Sequence, residues 1–389
     1  MKKLLPIVLA LLLALSPATA LAEEAGALSV DAPLPNPNLN TASASALLME
    51  AHTGQILYEK NPTQRRSIAS VTKIMTLLLV MEALEAGTLS LQDTVTVSEH
   101  AAGMGGSQAY MEPGETLSVH EMLKAVAVAS ANDGAVALAE HLTGSEEAFV
   151  AKMNARAQEL GMENTHFVNA TGLDDGQEPY SCALDVARMS RALLQHPTVL
   201  DYTTIWTDSI RNGAFGLANT NKLIRFYAGA NGLKTGFTQK AGFCLSASAQ
   251  KEGMQLIAVV LGGPSSQERF ADAKTLLNYG FATYALFDPG PIQAAPIPVW
   301  GGKESGVNPV CPSPKLLVEK GLKNKITCRV ELAGELTAPV LENQILGKIV
   351  YESEGKVLKE LPITAKNAVE KADTGFLFHR LMHQFFLAP

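Results

Sequence analysis

The chain has 389 residues, of which 47% are hydrophobic and 18% are charged, and its formal net charge is −7. This composition supports a large apolar core and excludes disordered, collagen-like and low-complexity classes of protein. Nucleic acid is not an expected partner, because binding phosphates requires clustered Lys and Arg, whereas this chain is acidic and has no basic runs.

The N-terminal segment has the pattern of a cleavable secretory signal. Two lysines precede the apolar run Leu4–Leu15, and Ala20-Leu21-Ala22 precedes two glutamates. This run of 12 residues is shorter than the roughly 20 that span a bilayer, which disfavours an uncleaved anchor. We therefore predict an exported protein with a signal peptide at residues 1–22 and an extended tether at residues 23–43.

Residues 44–286 are predicted to form one α+β domain. Strands are expected at Ala46–Glu50, Gln55–Glu59, Leu233–Thr238, Gly242–Ala249 and Gln255–Leu261. Helices are expected at Ser70–Ala86, Val119–Val128, Asp133–Leu142, Glu147–Leu160, Cys182–Gln195 and Gln267–Tyr279. Strands at both ends of the region, with helices inserted between them, favour an antiparallel sheet covered by helices over a doubly wound parallel sheet.

A second, smaller domain is predicted after a Pro-rich linker at residues 287–298. Residues 299–365 contain short β-rich runs separated by turns, which is typical of a small all-β domain. The four cysteines are too widely spaced for a disulfide scaffold or a zinc ribbon. Cys311 and Cys328 both fall in this domain, and a disulfide between them and two free thiols are both open interpretations.

The C-terminal segment, residues 366–389, ends in an apolar run from Phe376 to Leu387 that is interrupted by polar residues. Twelve residues cannot span a bilayer, but a helix lying in the plane of a membrane needs only one apolar face. The alternative is a terminal helix packed against the body of the protein. His379 and His383 have the spacing of metal ligands on a helix, but no Glu completes a metalloprotease motif, so no metal site is predicted.

The first strong helix begins with Ser70-Val71-Thr72-Lys73. A spacing of i, i+3 places the Ser70 hydroxyl and the Lys73 amine on one helix face, so a nucleophile lies beside a base. The N–H groups and partial positive charge of a helix start favour a developing oxyanion. Taken alone, the motif is also typical of a helix N-cap followed by a solvated lysine.

Ser130-Ala131-Asn132 falls in the break between two predicted helices, where side chains can reach a cleft. Ser130 is suited to passing a proton to a leaving amine, and Asn132 to holding a substrate amide. The plainer interpretation of Ser130 is a helix cap.

Lys234-Thr235-Gly236 begins a predicted strand. The charge of Lys234 would polarise Ser130 and lower the pKa of Lys73. Thr235 offers a hydroxyl to a substrate carboxylate, and Gly236 lets a substrate backbone approach the strand. The N–H of Phe237 would be the second oxyanion donor beside that of Ser70. An ordinary strand start is the alternative.

Together, and in the contexts helix start, loop and strand, the three motifs resemble the superfamily of penicillin-binding proteins and serine β-lactamases. Longer segments are similar to the serine D-alanyl-D-alanine carboxypeptidases of low molecular mass, peptidase family S11. These segments are Arg66–Thr76, Ser130–Asp133, Asn219–Leu223 and Gly232–Thr238. The resemblance covers residues 40–285 strongly and residues 290–389 more loosely.

The resemblance implies a β-lactamase/transpeptidase-like catalytic domain, a small all-β domain, and an amphipathic helix that holds the enzyme on the extracytoplasmic face of the membrane. It makes Ser70 the acylated nucleophile and Lys73 the base. Arg269 matches a family arginine that helps to bind a terminal carboxylate, with an ordinary exposed helix Arg as the alternative. The segment Ala101–Gly114 would form a rim loop beside the site.

The expected activity is removal of the terminal D-alanine from peptidoglycan stem pentapeptides through an acyl-enzyme on Ser70, with β-lactams acylating the same residue. No metal or cofactor is implied. A serine β-lactamase is the first alternative, but its deacylating Glu-x-x-Leu-Asn segment is absent and Glu178 is the nearest candidate. The second alternative is a non-catalytic penicillin-binding sensor, which would not require both lysines and both motif serines.

Overall fold

The computed structural model describes residues 36–386 apart from Asp175 and Gln177. The predicted signal peptide and most of the predicted tether lie outside the described residues. The helices are α1 (Lys73–Glu85), α2 (Glu99–Ala102), α3 (Val119–Ala129), α4 (Asn132–Thr143), α5 (Glu146–Glu159), α6 (Ala183–Leu193), α7 (Leu200–Thr203), α8 (Leu223–Phe226), α9 (Ser266–Thr283) and α10 (Thr374–Phe386). Short 3₁₀ turns occur at Ala69–Thr72, Pro197–Val199 and Lys320–Lys325.

The strands of the N-terminal region are β1 (Ser45–Glu50), β2 (Ile56–Lys60), β3 (Thr94–Thr96), β4 (Thr116–Ser118), β5 (Thr207–Ile210), β6 (Phe215–Ala218), β7 (Ala230–Thr238), β8 (Gly242–Lys251) and β9 (Met254–Gly263). Those of the C-terminal region are β10 (Tyr284–Phe287), β11 (Ile297–Trp300), β12 (Gly306–Val307), β13 (Pro309–Val310), β14 (Leu316–Glu319), β15 (Ile326–Leu332), β16 (Leu336–Thr337), β17 (Ile345–Ser353) and β18 (Lys356–Ala365).

The centre of the N-terminal region is a five-stranded antiparallel sheet with the order β2-β1-β9-β8-β7. The first hairpin therefore pairs with strands from the end of the region, as Ser45 opposite Leu261 shows. This arrangement confirms the predicted antiparallel sheet covered by helices. Strand β7 is an edge strand, so alternate N–H and C=O groups along it have no partner strand within the described residues.

Helices cover both faces of this sheet. On one face, α1 has the sequence KIMTLLLVMEALE, and its apolar residues on all sides are buried, as expected for a helix surrounded by protein. On the other face, α9 packs Ala273, Leu276 and Leu277 into a second core that includes Leu48 and Leu256. Ala69 and Val71, in the turn directly before α1, are buried in the same apolar core as that helix. The turn that carries Ser70 is therefore rigidly supported.

The C-terminal region is β-rich, as predicted. Strands β13, β18, β17 and β15 form one sheet in that order, and β12, β11 and β16 form a second. Strand β10 continues directly from α9 and pairs with β14, which joins the two regions. Cys311 and Cys328 are both free thiols here, so the structure contains the unpaired alternative.

Helix α10 follows this sheet, and apart from the half-buried Phe376 its residues are exposed. Its exposed apolar side chains are Leu377, Phe378, Leu381, Met382, Phe385 and Phe386. The alternative of a helix packed against the body is therefore wrong for the described residues. Leu387, the last residue of the predicted apolar run, lies outside them. No helix in the described part of the chain combines the length and apolarity needed to cross a membrane.

Candidate active site

Ser70 and Lys73 lie one turn apart, in contact with each other. Lys73 Nζ donates a hydrogen bond to Ser70 Oγ at 3.0 Å, the spatial relation that the spacing predicts. The predicted start of the helix is wrong in detail, because Ser70 belongs to a 3₁₀ turn and α1 begins at Lys73. Such turns are common at helix N-termini, and their three residues per turn eclipse positions i and i+3. Lys73 is fully buried, so the alternative of a solvated lysine is also wrong.

Lys73 is held by acceptors from two other segments. Its Nζ donates to Asn132 Oδ1 at 2.5 Å and to the carbonyl oxygen of Thr171 at 2.9 Å. Burial, and then the like charge of Lys234, lower the pKa of Lys73 well below its ordinary value, while Asp133 opposes the shift. Because a lowered pKa favours the uncharged amine, Lys73 is suited to accept a proton.

The break between α3 and α4 carries the middle motif. Ser130 ends α3 in the left-handed conformation, with φ 65°, and is buried. Its backbone therefore serves the helix end, as the plainer interpretation predicts, and the role of its hydroxyl stays a prediction. Asn132 is expected to hold a substrate amide, but here its Oδ1 holds Lys73 and its Nδ2 donates to the carbonyl oxygen of Gly105 at 2.6 Å.

Strand β7 carries the third motif. Lys234 is buried, and its Nζ donates to the carbonyl oxygen of Thr235 at 2.9 Å. Burial and then the charge of Arg269 lower the pKa of Lys234 to about 7. The Thr235 hydroxyl donates to the hydroxyl of Thr220 at 2.7 Å, which fixes its orientation.

Gly236 is required by the protein's own packing. A Cβ atom at this position would lie 2.6 Å from the carbonyl oxygen of Ile68, closer than real Cβ contacts allow. The sequence argument assigns this glycine to the approach of a substrate, whereas the structure shows that it lets β7 approach the turn that carries Ser70. The next residue, Phe237, is 53% exposed and stacks on Phe243 with ring centroids 4.3 Å apart.

Arg269 lies in α9 behind the edge strand. It is only 8% exposed, so the alternative of an ordinary exposed helix arginine is wrong. One terminal nitrogen donates to the carbonyl oxygens of Gly236 at 3.0 Å and Cys244 at 3.2 Å, and Nε is buried without a hydrogen-bond partner among the described residues. Burial lowers the pKa of Arg269 to about 10, where the guanidinium is still charged at neutral pH.

The segment Asn169–Gly172 belongs to the site and is not among the residues predicted for it. Asn169 Oδ1 accepts from the backbone N–H groups of Thr171 and Gly172, which forms the turn that presents the Thr171 carbonyl to Lys73. Gly172 has φ 78°, and a Cβ there would overlap the carbonyl oxygen of Ala69. The sequence Asn-Ala-Thr-Gly signals a turn, but its position beside Lys73 depends on the fold.

Arg211 forms hydrogen bonds that hold the predicted rim loop, Ala101–Gly114, in place. It is also not among the site residues predicted from the sequence. Its guanidinium makes two hydrogen bonds to Glu115, at 2.6 and 2.9 Å. It also donates to the carbonyl oxygens of Ala109 and Tyr110, whose segment is held on the other side by the Asp133 carboxylate. Arg211 therefore couples the β5–β6 turn to the loop that contacts Asn132.

Among the described residues, the hydrogen-bond partners of Lys73 are Ser70, Asn132 and the Thr171 carbonyl, and none of them is a carboxylate. Glu178 is an exposed residue that forms an ion pair with Lys240 at 3.0 Å. Among residues 36–174, 176 and 178–386, no three His, Cys, Asp or Glu side chains are grouped to hold a metal ion. His379 and His383 lie side by side on α10, with ring centroids 6.4 Å apart.

Comparison with known proteins agrees with this geometry. Residues 30–265 match the peptidase S11 family, described as D-alanyl-D-alanine carboxypeptidase, and residues 281–371 match the C-terminal domain of penicillin-binding protein 5. The D-alanyl-D-alanine carboxypeptidase DacF of Bacillus subtilis (strain 168) is 43% identical over 342 residues, which are 85% of this chain and 86% of the relative.

Solved structures give the same result. Penicillin-binding protein 5 from Haemophilus influenzae is 31% identical with a TM-score of 0.76, and the match covers 86% of this chain and 99% of that chain. Penicillin-binding protein D2 from Listeria monocytogenes in an ampicillin-bound form is 35% identical with a TM-score of 0.56, and the match covers 63% of this chain and 100% of that chain. The chain belongs to the peptidase S11 family of D-alanyl-D-alanine carboxypeptidases.

Proposed function

We propose that the protein is a serine carboxypeptidase that removes the terminal D-alanine from peptidoglycan stem pentapeptides through an acyl-enzyme on Ser70. The observation that carries the proposal is the hydrogen bond of 3.0 Å between Lys73 Nζ and Ser70 Oγ. It places a buried amine of lowered pKa directly on the hydroxyl that must lose its proton. Family membership supplies the substrate class.

The reaction begins when Lys73, in its uncharged form, takes the proton of Ser70 and Ser70 Oγ attacks the carbonyl carbon of the penultimate residue. Backbone N–H groups of Ser70 and Phe237 stabilise the resulting oxyanion. Ser130 passes its hydroxyl proton to the nitrogen of the departing D-alanine and takes in exchange the proton that Lys73 removed from Ser70, as the C–N bond breaks. In the second half, Lys73 takes a proton from a water whose oxygen adds to the ester carbon; the bond to Ser70 Oγ then breaks, Lys73 returns the proton to Ser70 Oγ, and the shortened peptide leaves.

The strand side of the site binds the terminal carboxylate of the substrate. Thr235 presents a hydroxyl that Thr220 already orients. Burial and Arg269 lower the pKa of Lys234 to about 7, and a carboxylate bound beside it favours its charged form. Arg269 adds a second buried cation behind the strand and holds the carbonyl of Gly236. In the structure, the side-chain amide of Asn132 is hydrogen-bonded to Lys73 and to the carbonyl oxygen of Gly105. To contact the substrate backbone, Asn132 gives up or shares one of these hydrogen bonds.

β-Lactams acylate Ser70 in the same manner, because their strained amide occupies the place of the scissile bond. The similar Listeria protein is titled as an ampicillin-bound form, which supports this part of the proposal. The segment that positions a deacylating water in β-lactamases has no counterpart in the sequence. We therefore expect a long-lived penicilloyl-enzyme.

The protein acts at the extracytoplasmic face of the membrane, to which α10 binds in the plane of the surface. Support comes from the exposed apolar side chains of α10 and from the polar residues His379, Arg380 and His383 between them. Burying these apolar groups in the lipid interface is favourable. The sequence pattern of a secretory signal supports the location.

The test is mass spectrometry of the products after the protein is incubated with a stem pentapeptide ending in D-Ala-D-Ala, with Ser70→Ala as the control. The proposal requires tetrapeptide and free D-alanine from the parent and neither from the control. If folded parent protein leaves the pentapeptide intact, the carboxypeptidase is rejected. The fate of added penicillin then separates the alternatives, since a β-lactamase hydrolyses it and a sensor retains it.

A further inference from the structure

A cleft between the N-terminal and C-terminal regions has charged walls that the proposed reaction does not use. Its volume is about 320 Å³, at the lower end of the range for small-ligand sites. It lies between the β8–β9 turn, the end of β10 and the residues on either side of β14. A smaller cavity adjoins it, and Lys323 lines both.

The walls of the two cavities carry more positive than negative side chains. In the described part of the chain, four lysines line them, whereas the acidic lining residues are Glu252 and Asp288. The lysines are Lys251, Lys315, Lys320 and Lys323. In a chain whose net charge is −7, such a local reversal of sign attracts anions, and the walls of a cleft focus the field.

Acidic neighbours do not hold these lysines tightly. Lys315 lies 3.6 Å from Asp288, and Lys320 lies 3.8 Å from Glu252. For comparison, the Lys325–Glu354 pair nearby is 2.6 Å long. Within the part of the chain that the structure describes, Lys323 has no ion-pair or hydrogen-bond partner. Lys320 also donates to the carbonyl oxygen of Phe281 at 3.4 Å, and Lys251 lies over the rings of Tyr227 and Phe281. Lys323 is therefore free to bind a ligand, and Lys315 has only a long ion pair to give up.

The type of cation indicates the type of anion. Arginine forms paired hydrogen bonds with planar carboxylates, whereas lysine acts as a point charge and is common in phosphate sites. Among the residues that the structure describes, no arginine lines either cavity. We propose that this cleft binds a phosphate-bearing ligand, a phosphodiester segment of a cell-wall polymer. The proposal does not depend on the carboxypeptidase reaction.

The position of the cleft favours a wall polymer over a lipid headgroup. The ion pair of Lys325 and Glu354 places the turn of the β17–β18 hairpin beside the cleft. The opposite end of that hairpin packs near Val369, from which the chain continues into α10. A strand of 9 residues separates the two ends by roughly 30 Å, well beyond the Debye length of about 8 Å. The cleft therefore lies at the end of this hairpin away from the segment that leads into α10, which favours a wall polymer over a lipid as its ligand.

The test is calorimetric titration of the full chain, in mild detergent, with a soluble oligo(glycerol phosphate). The double variant Lys315→Gln with Lys323→Gln is expected to bind at least about tenfold more weakly, because it loses two charged contacts. A matched control, Lys303→Gln with Lys366→Gln, removes the same charge at the far end of the sheet and should bind like the parent. Added salt should weaken binding by the parent.

Four results would overturn the proposal. The first two are that the parent does not bind the polymer, or that the parent and the cleft variant bind it equally well. The third is that the parent binds inorganic phosphate as tightly as the polymer. The fourth is that the cleft variant binds phosphatidylglycerol vesicles more weakly than the parent does. The last result would assign the cleft to a lipid. Penicillin labelling at the parent level shows that the cleft variant is folded, and Lys323→Gln alone replaces it if labelling is lost.

Discussion

Gly236 packs against the backbone of Ser70, because a Cβ atom on Gly236 would lie 3.1 Å from the Ser70 nitrogen. The N–H proposed to stabilise the oxyanion is thus positioned by backbone contact between two segments that are distant in the sequence. Side-chain volume at residue 236 would move this N–H relative to β7. The oxyanion geometry is therefore sensitive to a single methyl group.

We predict that Gly236→Ala lowers kcat/KM for the stem pentapeptide by about 100-fold, since sub-ångström errors in such sites cost factors of this size. Steady-state kinetics on folded protein measures the effect. Gly216→Ala is the matched control, because no atom lies within 4 Å of a Cβ at that position. Parent-like kinetics of Gly236→Ala would show that the contact yields without affecting the oxyanion site.

The pH dependence of acylation should reflect the pKa of Lys73. Acylation rises with pH as Lys73 loses its proton. Lys234→Gln removes a like charge, which raises the pKa of Lys73 and moves the rising limb to higher pH. Asp133→Asn removes the opposing charge, so it should move the limb to lower pH. Penicillin-labelling rates between about pH 5 and pH 10 measure both shifts.

The opposite directions make this test independent of absolute rates. Both variants lose activity for other reasons as well, because Lys234 lies in the site and Asp133 holds the rim loop. Only the position of the limb on the pH axis is compared. If both variants shifted the limb in the same direction, or neither shifted it, Lys73 would not be the titrating base.

Arg211→Ala should lower kcat/KM about tenfold, because the loop that contacts Asn132 loses its charged hydrogen bonds. Arg211→Lys should recover only part of the loss, since a lysine cannot form the two-point contact with Glu115. Arg225→Ala, at an exposed arginine in α8, is the control. Full activity of Arg211→Ala would mean that the rim loop holds its position unaided.

Phe378→Glu with Phe385→Glu should reduce vesicle binding by at least about 100-fold, because two aromatic side chains lose their place in the lipid interface. Turnover of a soluble pentapeptide should stay unchanged. Co-sedimentation with anionic vesicles measures the binding. Gln384→Glu places a negative charge on the polar part of the helix and serves as the control. Equal sedimentation of the double variant and the parent would exclude α10 as the membrane contact.

Local patterns predicted the longer helices, the strands of the central sheet and the pairing of Ser70 with Lys73, because helix periodicity and i, i+3 spacing are properties of short segments. They also predicted the antiparallel sheet, from strands at both ends of the region. The short elements α2, α7, α8 and β3 to β6 were not predicted. The contact of Lys73 with the Thr171 carbonyl and the clamp of Arg211 on Ala109 were not predicted. Both join segments separated by about 100 residues, and the spacing of nearby residues carries no information about such contacts.

The reason for the glycine at position 236 also could not be predicted from the sequence. The sequence singled out the glycine correctly but assigned its small size to the substrate. Which atom fills the space beside a glycine is decided by tertiary packing, here the carbonyl of Ile68. Similarly, the sequence suggested that Lys234 lowers the pKa of Lys73, whereas the larger cause is burial, which depends on the whole fold.

The pairing of β1 with β9 has a consequence for biogenesis. Ser45 opposes Leu261, so the central sheet cannot close until nearly the whole N-terminal region has been synthesised and is free to pair. Long-range pairing of this kind also slows folding, since loop closure must precede the stabilising contacts. An incomplete chain therefore lacks the contact between β7 and the Ser70 turn on which the proposed oxyanion site depends. Covalent penicillin labelling would report completed synthesis and folding together.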